Sequence, residues 1–167
     1  KDYMRPSGRV ALIGTASVLA YAALRGRLRR YEVAEESMAP TLLPGDYVVA
    51  QPRRDPPQRG DILIFKHPHQ SGLELVKRVV GLPGEEIVVA GGQIHANDAV
   101  LAEPWADGPT LPDGDWHLSR EEIFVLGDNR ARSAGDSRSI GPVKLEDARW
   151  QVVWRYWPAG SIGRVGL

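Results

Sequence analysis

Ser37 opens the run Ser37-Met38-Ala39-Pro40-Thr41-Leu42-Leu43-Pro44-Gly45-Asp46. Proline fixes its own φ and drives the preceding residue to extended backbone, so the hydroxyl is expected on extended chain that cannot continue as helix. A serine hydroxyl becomes a useful nucleophile only when a neighbouring base takes its proton. The chain has no cysteine, which excludes thiol catalysis and disulfide staples. None of its four histidines, His67, His69, His95 and His117, lies in a pattern that reads as a triad partner. Lysine is the other base that serves nucleophilic serines.

One lysine stands in an apolar run, Leu73-Glu74-Leu75-Val76-Lys77-Arg78-Val79-Val80-Gly81. At the period of a strand, Lys77 shares a face with Leu75 and Val79, while Arg78 points the other way with Val76 and Val80. An amine packed among apolar side chains is desolvated, which disfavours its charged form and lowers its pKa. At the reference value near 10.4 only about one molecule in a thousand is neutral near pH 7.5, and burial closes much of that gap. Further along, Asp128, Arg130, Asp136 and Arg138 supply both signs of charge for a buried or half-buried pairing network. His67 and His69 have no further ligand cluster beside them and read as surface loop residues rather than a metal site.

Taken in order, Ser37-Met38-Ala39-Pro40-Thr41-Leu42, Lys77-Arg78-Val79-Val80-Gly81-Leu82-Pro83-Gly84, and Gly127-Asp128-Asn129-Arg130 through Ser133 to Asp136-Ser137-Arg138 resemble the boxes of type I signal peptidases. Three ordered blocks from residue 37 to residue 138 are a specific signal; a lone lysine in a strand is not. The resemblance implies Ser37 as nucleophile and Lys77 as its base, with Ser133 hydrogen-bonding the Lys77 amine and orienting it. It also implies that Asp128 pairs with Arg78 and aligns the lysine strand, and that Asp136 pairs with Arg138. Met38, Pro40 and Leu75 are expected to contact the substrate, an extended peptide against a strand edge with shallow apolar pockets for alanine at alternate positions. No metal or organic cofactor enters this chemistry.

Two positions depart from the family pattern. Glu35 stands two residues before Ser37, where many members have serine or glycine and where a serine hydroxyl helps form the oxyanion hole in some. A carboxylate aimed at a developing negative charge would oppose catalysis, so the Glu35 side chain is expected to turn away, with the Ser37 backbone N–H as the main donor. Ala134-Gly135 adds a residue between Ser133 and Asp136, which is expected to form a bulge.

The elements that must hold these groups read as strands. Apolar composition of 43% over 167 residues suits one domain with a sizeable core and a tail, and 13 prolines and 18 glycines among short apolar runs point to turns and few helices. Strands are expected at Tyr31–Ala34, Tyr47–Ala50, Asp61–Phe65, along the Lys77 run and at Glu121–Leu126. A hairpin of Glu85–Ala90 and Gln93–Ala96 turns at Gly91-Gly92. Beyond it, the stretch to Arg120 reads as mostly irregular, and residues 85–121 form a β-rich cap insertion whose packing uses Trp105 and Trp116. From Trp150 to Pro158 the chain alternates, with Trp150, Val152, Trp154 and Tyr156 on one face, suited to core or to a lipid interface. The implied fold is mainly β, antiparallel sheets of the type shared by signal peptidases and SOS-repressor peptidases, with a short N-terminal membrane helix.

Residues 1–30 read as a tail holding that helix, and residues 31–167 as the catalytic domain. Val10 to Leu24 is uncharged. As a helix it measures about 22 Å against roughly 30 Å of hydrocarbon, so it spans only if flanking arginines snorkel or the bilayer thins. Arginines stand on both sides, and the positive-inside rule fixes no orientation. Ala20-Tyr21-Ala22 also permits a cleaved signal peptide; the resemblance favours an uncleaved single-pass anchor with the catalytic domain on the outer face of the cell membrane. Arg25 to Arg30 suit anionic lipid or a solvated linker. A formal charge of zero gives no argument for nucleic acid.

The expected activity is removal of signal peptides from exported preproteins after small residues, Ala-x-Ala, at the membrane surface. Alternatives are a maturation peptidase for one dedicated client, and an inactive relative that binds signal peptides. A self-cleaving SOS-type repressor fits less well: its candidate bond, Ala90-Gly91, follows Ser37 and Lys77, and no DNA-binding domain precedes the core.

Overall fold

The computed structural model describes residues 27–165, so the apolar segment 10–24 lies outside the described residues. Among the described residues no helix is long and apolar enough to cross a membrane. They form strands β1 (Arg29–Glu32), β2 (Tyr47–Pro52), β3 (Ile62–Lys66), β4 (Glu74–Gly81), β5 (Glu86–Ala90) and β6 (Gln93–Ala96). There follow β7 (Ala99–Val100), β8 (Gly114–His117), β9 (Glu122–Leu126), β10 (Val143–Lys144), β11 (Trp150–Trp157) and β12 (Gly163–Arg164). A four-residue helix, α1 (Ser137–Ile140), stands between β9 and β10. The strand pairs are antiparallel, as the mainly β reading expects.

The larger sheet runs β1-β2-β11-β3-β4-β9-β10, with β12 on β11; the smaller runs β7-β6-β5-β8. In β3, Ile62 and Ile64 join one apolar cluster with Met38, Leu42, Val48 and Val152, while Leu63 and Phe65 join another with Val79, Ile123 and Val125. A strand buried on both faces must read as a continuous apolar run, and Ile62-Leu63-Ile64-Phe65 does. A third cluster, around Val80, Ile87, Ile94, Phe124 and Leu126, joins the smaller sheet to β4 and β9. The Lys77 strand therefore runs through the middle of the molecule.

The stretch after the hairpin is mostly irregular, as expected, but within it β8 pairs back on β5 and completes a four-stranded cap sheet. Gly114-Asp115-Trp116-His117 carries too few apolar residues to announce a strand, and its partner lies far back in sequence. Two expectations need correction. Ala134-Gly135 forms no bulge: it is loop leading into α1, whose N-cap is Asp136, with the Asp136 side chain accepting from the Arg138 N–H. β11 does not present its aromatics on one face. Register shifts between Val152 and Trp154 and between Arg155 and Trp157 break the alternation, so Val152 is buried while Trp154 and Trp157 are exposed.

Candidate active site

The loop carrying Ser37 is closed at its base by N–H to carbonyl bonds from Val33 to Asp46 and from Gly45 to Val33, both 2.8 Å. Asp46 is buried, accepting from the Leu43 N–H at 2.9 Å and from Arg155 at 2.8 Å. Met38 and Leu42 drive into the apolar cluster under the loop. Ser37 is not on extended chain as expected but in a 3-10 turn, Glu36–Met38, closed by the Ala39 N–H on the Glu36 carbonyl at 3.0 Å. The restriction imposed by Pro40 acts on Ala39 alone, which is extended at φ −64°, ψ 144°. No acceptor among the described residues takes the Ser37 N–H, as expected at the start of a helical turn.

Lys77 Nζ lies 2.7 Å from Ser37 Oγ. Lys77 is 3% exposed, and Leu63, its cross-strand partner, belongs to one apolar cluster with Leu75 and Val79 on either side. Burial pushes the amine below lysine's ordinary pKa; Asp136, Glu35 and Asp128 work against this, and Arg138 works with it. The amine is thus brought toward the neutral form in which it can accept a proton.

Behind the lysine, Arg78 grips Asp128 with Nε at 2.8 Å and Nη2 at 2.6 Å, and both side chains are buried. Arg78 Nη1 donates to the Gly60 carbonyl at 2.9 Å. Thr41 donates its hydroxyl to Asp128 at 2.6 Å and accepts from Arg78 at 3.2 Å, tying the serine loop to this pair. The Asn129 N–H donates to the Ser37 carbonyl at 3.1 Å. Asp136 pairs with Arg138 at 2.8 Å and 3.0 Å. Ser133 does not hydrogen-bond the Lys77 amine as expected; its hydroxyl donates to Asp136 at 2.6 Å, because the cap of α1 turns that carboxylate onto it.

An open cleft of about 170 Å³ ends at Ser37 and Lys77. One wall is the chain from Tyr31 to Glu35 and the other the chain from Leu73 to Lys77, with Val48 and Ile64 also lining it. Both walls offer unpaired backbone: β1 is the edge of its sheet, and β9 pairs with β4 only from Arg78 onward. Leu75 lines the cleft, but Met38 is fully buried in the core and Pro40 is not among the lining residues, so neither is placed to contact a peptide there. Glu35 is exposed at the cleft and makes no hydrogen bond or ion pair among the described residues; neighbouring Glu36 pairs with Arg132 at 2.7 Å.

Three contributors escape sequence reading. Thr41 is a hydroxyl beside buried Leu42, a signal legible in principle. Asn129 acts through its backbone. Trp105 was expected in the packing of the cap, as Trp116 is against Phe124, yet its ring lies 4.7 Å from the Arg78 guanidinium carbon. It sits in a proline-rich irregular stretch with no period to place it.

A β-sheet fold that sets a buried amine against a serine hydroxyl at the end of an open cleft is the arrangement that makes a serine nucleophilic. The family described as signal peptidase, peptidase S26, matches residues 7–157, and this chain belongs to that family of serine endopeptidases. Signal peptidase I of Leptolyngbya laminosa is 33% identical over 171 residues, covering 94% of this chain and 82% of the relative. Signal peptidase I of Bacillus caldolyticus is 34% identical, covering 77% of this chain and 79% of the relative. A solved signal peptidase I from Enterococcus faecalis shows 31% identity and a TM-score of 0.49, covering 55% of this chain and 92% of its own.

Proposed function

We propose that the chain removes signal peptides from exported preproteins, with Ser37 as nucleophile and Lys77 as general base. The observation that carries this reading is the 2.7 Å approach of a buried amine to the Ser37 hydroxyl at the end of the cleft. Neutral Lys77 takes the Ser37 proton as Oγ bonds to the substrate carbonyl carbon and the carbonyl electron pair moves onto oxygen. The unpartnered Ser37 N–H faces the task of holding that oxyanion. As the C–N bond breaks, Lys77 returns its proton to the leaving amine. It then takes a proton from water as the water oxygen bonds to the acyl carbon, and returns that proton to Ser37 Oγ as the ester C–O bond breaks, freeing the new carboxylic acid and restoring the dyad. The paired side chains Arg78–Asp128 and Asp136–Arg138 hold the strand and loop that present the dyad, and Ser133 acts through Asp136.

An extended peptide fits between the two unpaired edges, adding main-chain hydrogen bonds on either side. Side chains at alternate positions then point to the apolar lining of Leu75, Val48 and Ile64, which suits small residues such as alanine. Residues 10–24 form the single-pass anchor, residues 31–167 the catalytic unit with the 85–121 cap, and the cleft works against the lipid surface on the outer face of the membrane.

The test is cleavage of a preprotein bearing an Ala-x-Ala site by the full chain in detergent, beside Ser37→Ala and Lys77→Ala. Cleavage after the alanine, abolished in both variants, is expected. Activity surviving in Lys77→Ala would mean that another group is the base, and activity surviving in Ser37→Ala would overturn the covalent mechanism.

A further inference from the structure

We propose that Trp105 and the cap segment around it are positioning elements of the catalytic dyad, acting through Arg78 and Asn129. This rests on the reading of Ser37 and Lys77 as that dyad. Arg78 follows Lys77 on β4 and is 2% exposed. Four of its five in-plane N–H groups go to Asp128, the Gly60 carbonyl and Thr41. These bonds fix the guanidinium within its own plane but leave its faces free. The Trp105 ring, 4.7 Å from the guanidinium carbon, covers a face, where attraction to the indole quadrupole strengthens as water is excluded.

The segment carrying Trp105 is itself clamped to the Gly127–Arg130 loop. Glu103 takes both terminal nitrogens of Arg130, at 2.6 Å and 3.1 Å, and Thr110 accepts from the same guanidinium. The Asp107 N–H donates to the Asp128 carbonyl at 2.8 Å, and the Arg130 N–H returns to the Asp107 carbonyl at 3.1 Å. Between these two residues of the loop lies Asn129, whose N–H holds the Ser37 carbonyl. The cap segment therefore braces the lysine strand through Trp105 and the serine turn through Asp107. Trp105 does not line the cleft, so it acts without touching substrate.

Steady-state cleavage of the Ala-x-Ala preprotein from pH 6 to pH 10 by Trp105→Ala, Trp105→Leu and Trp105→Phe, beside Ser37→Ala, tests this. In Trp105→Ala kcat should fall about tenfold with KM nearly unchanged, the scale of a desolvated cation–π contact. Arg78 released from the ring holds Asp128 less tightly on its own face of β4, so the Asp128 charge, which favours the protonated Lys77 amine, is less matched by the guanidinium, while Asp136, Glu35 and Arg138 keep their places around the amine. The acid limb of the kcat profile should therefore move to higher pH. Trp105→Phe should recover most of both effects and Trp105→Leu, which fills space without an aromatic face, should not. The Phe and Leu comparison decides the matter if the alanine variant fails to fold. Equal kcat and equal pH profiles in the Phe and Leu variants, with Ser37→Ala inactive, would overturn the proposal alone. An active Ser37→Ala would overturn the underlying reading.

Discussion

Replacing Lys77 with methionine should abolish cleavage and raise stability. Lys77 is 3% exposed, and among the described residues its amine has a single hydrogen-bonding partner, Ser37. Burying a polar group with incomplete compensation costs about 1–3 kcal/mol, and a methionine of similar length removes that penalty while keeping the volume. Against this, the Ser37 hydroxyl loses its partner, at about 1 kcal/mol. The net gain is roughly 1 kcal/mol near neutral pH, a rise of about 2–4 °C in Tm for a chain of this size. The gain must also depend on pH. Below its depressed folded pKa, Lys77 is protonated in both states and the folded state carries the full penalty of a buried charge. Between that value and the ordinary 10.5, the unfolded chain holds the proton and the folded chain does not. Parent stability then climbs with pH by up to about 1.4 kcal/mol per unit. Methionine has no such window, so its advantage should shrink as pH rises toward 10. Urea unfolding of parent and variant at several pH values between 6 and 10 measures this. A variant less stable than the parent at neutral pH, or a difference that stays constant across the range, would refute the claim that burial of the amine dominates its environment.

Glu35→Gln removes a charge that raises the Lys77 pKa, leaving Asp136, Arg138 and Asp128 in place, so the amine should become neutral at lower pH. The acid limb of kcat/KM should shift downward; an unmoved limb, or an upward shift, would contradict the field assigned to Glu35. Gly127→Ala places a Cβ against the Ser133 side chain and the Ser37 carbonyl, both held by the surrounding network. Displacing the serine turn by a fraction of an ångström to an ångström should lower kcat on the order of a hundredfold, and unchanged turnover would mean that the turn yields freely.

Strands announced themselves in the sequence wherever burial imposed a period. Lys77 was legible because Leu75 and Val79 flank it at strand spacing, and β3 because both of its faces are buried. What escaped depends on partners distant in sequence. β8 exists because Glu86 to Val89 stand ready to pair with it, not because Gly114-Asp115-Trp116-His117 favours a strand. The bulges of β11 follow from pairing with β2, which no alternation of Trp and Val within one segment can show. The resemblance gives Ser133 to the lysine, and nothing in the sequence shows the competing acceptor, Asp136, because it is aimed by a helix too short to leave a period. Met38, expected at the substrate, stands beside Ser37 in a 3-10 turn, which sends neighbouring side chains in different directions, here into the core.

The carboxylates around the lysine pose a physical problem that the pairing pattern answers. Asp128 and Asp136 are indispensable as anchors: one gathers Arg78 and Thr41, the other caps α1 and holds Ser133 and the Gly127 N–H. Buried negative charges so near an amine stabilise its ammonium form and work against its use as a base. Each of the two is matched by an arginine in a two-point grip, Arg78 and Arg138, so the anchoring function is kept while much of the field at Lys77 is cancelled. Glu35 has no such partner among the described residues, but it is exposed, and water screens it. Desolvation is therefore left as the largest influence on Lys77. An arginine lost from either pair would act twice, loosening the support of the dyad and releasing a charge that keeps the amine protonated.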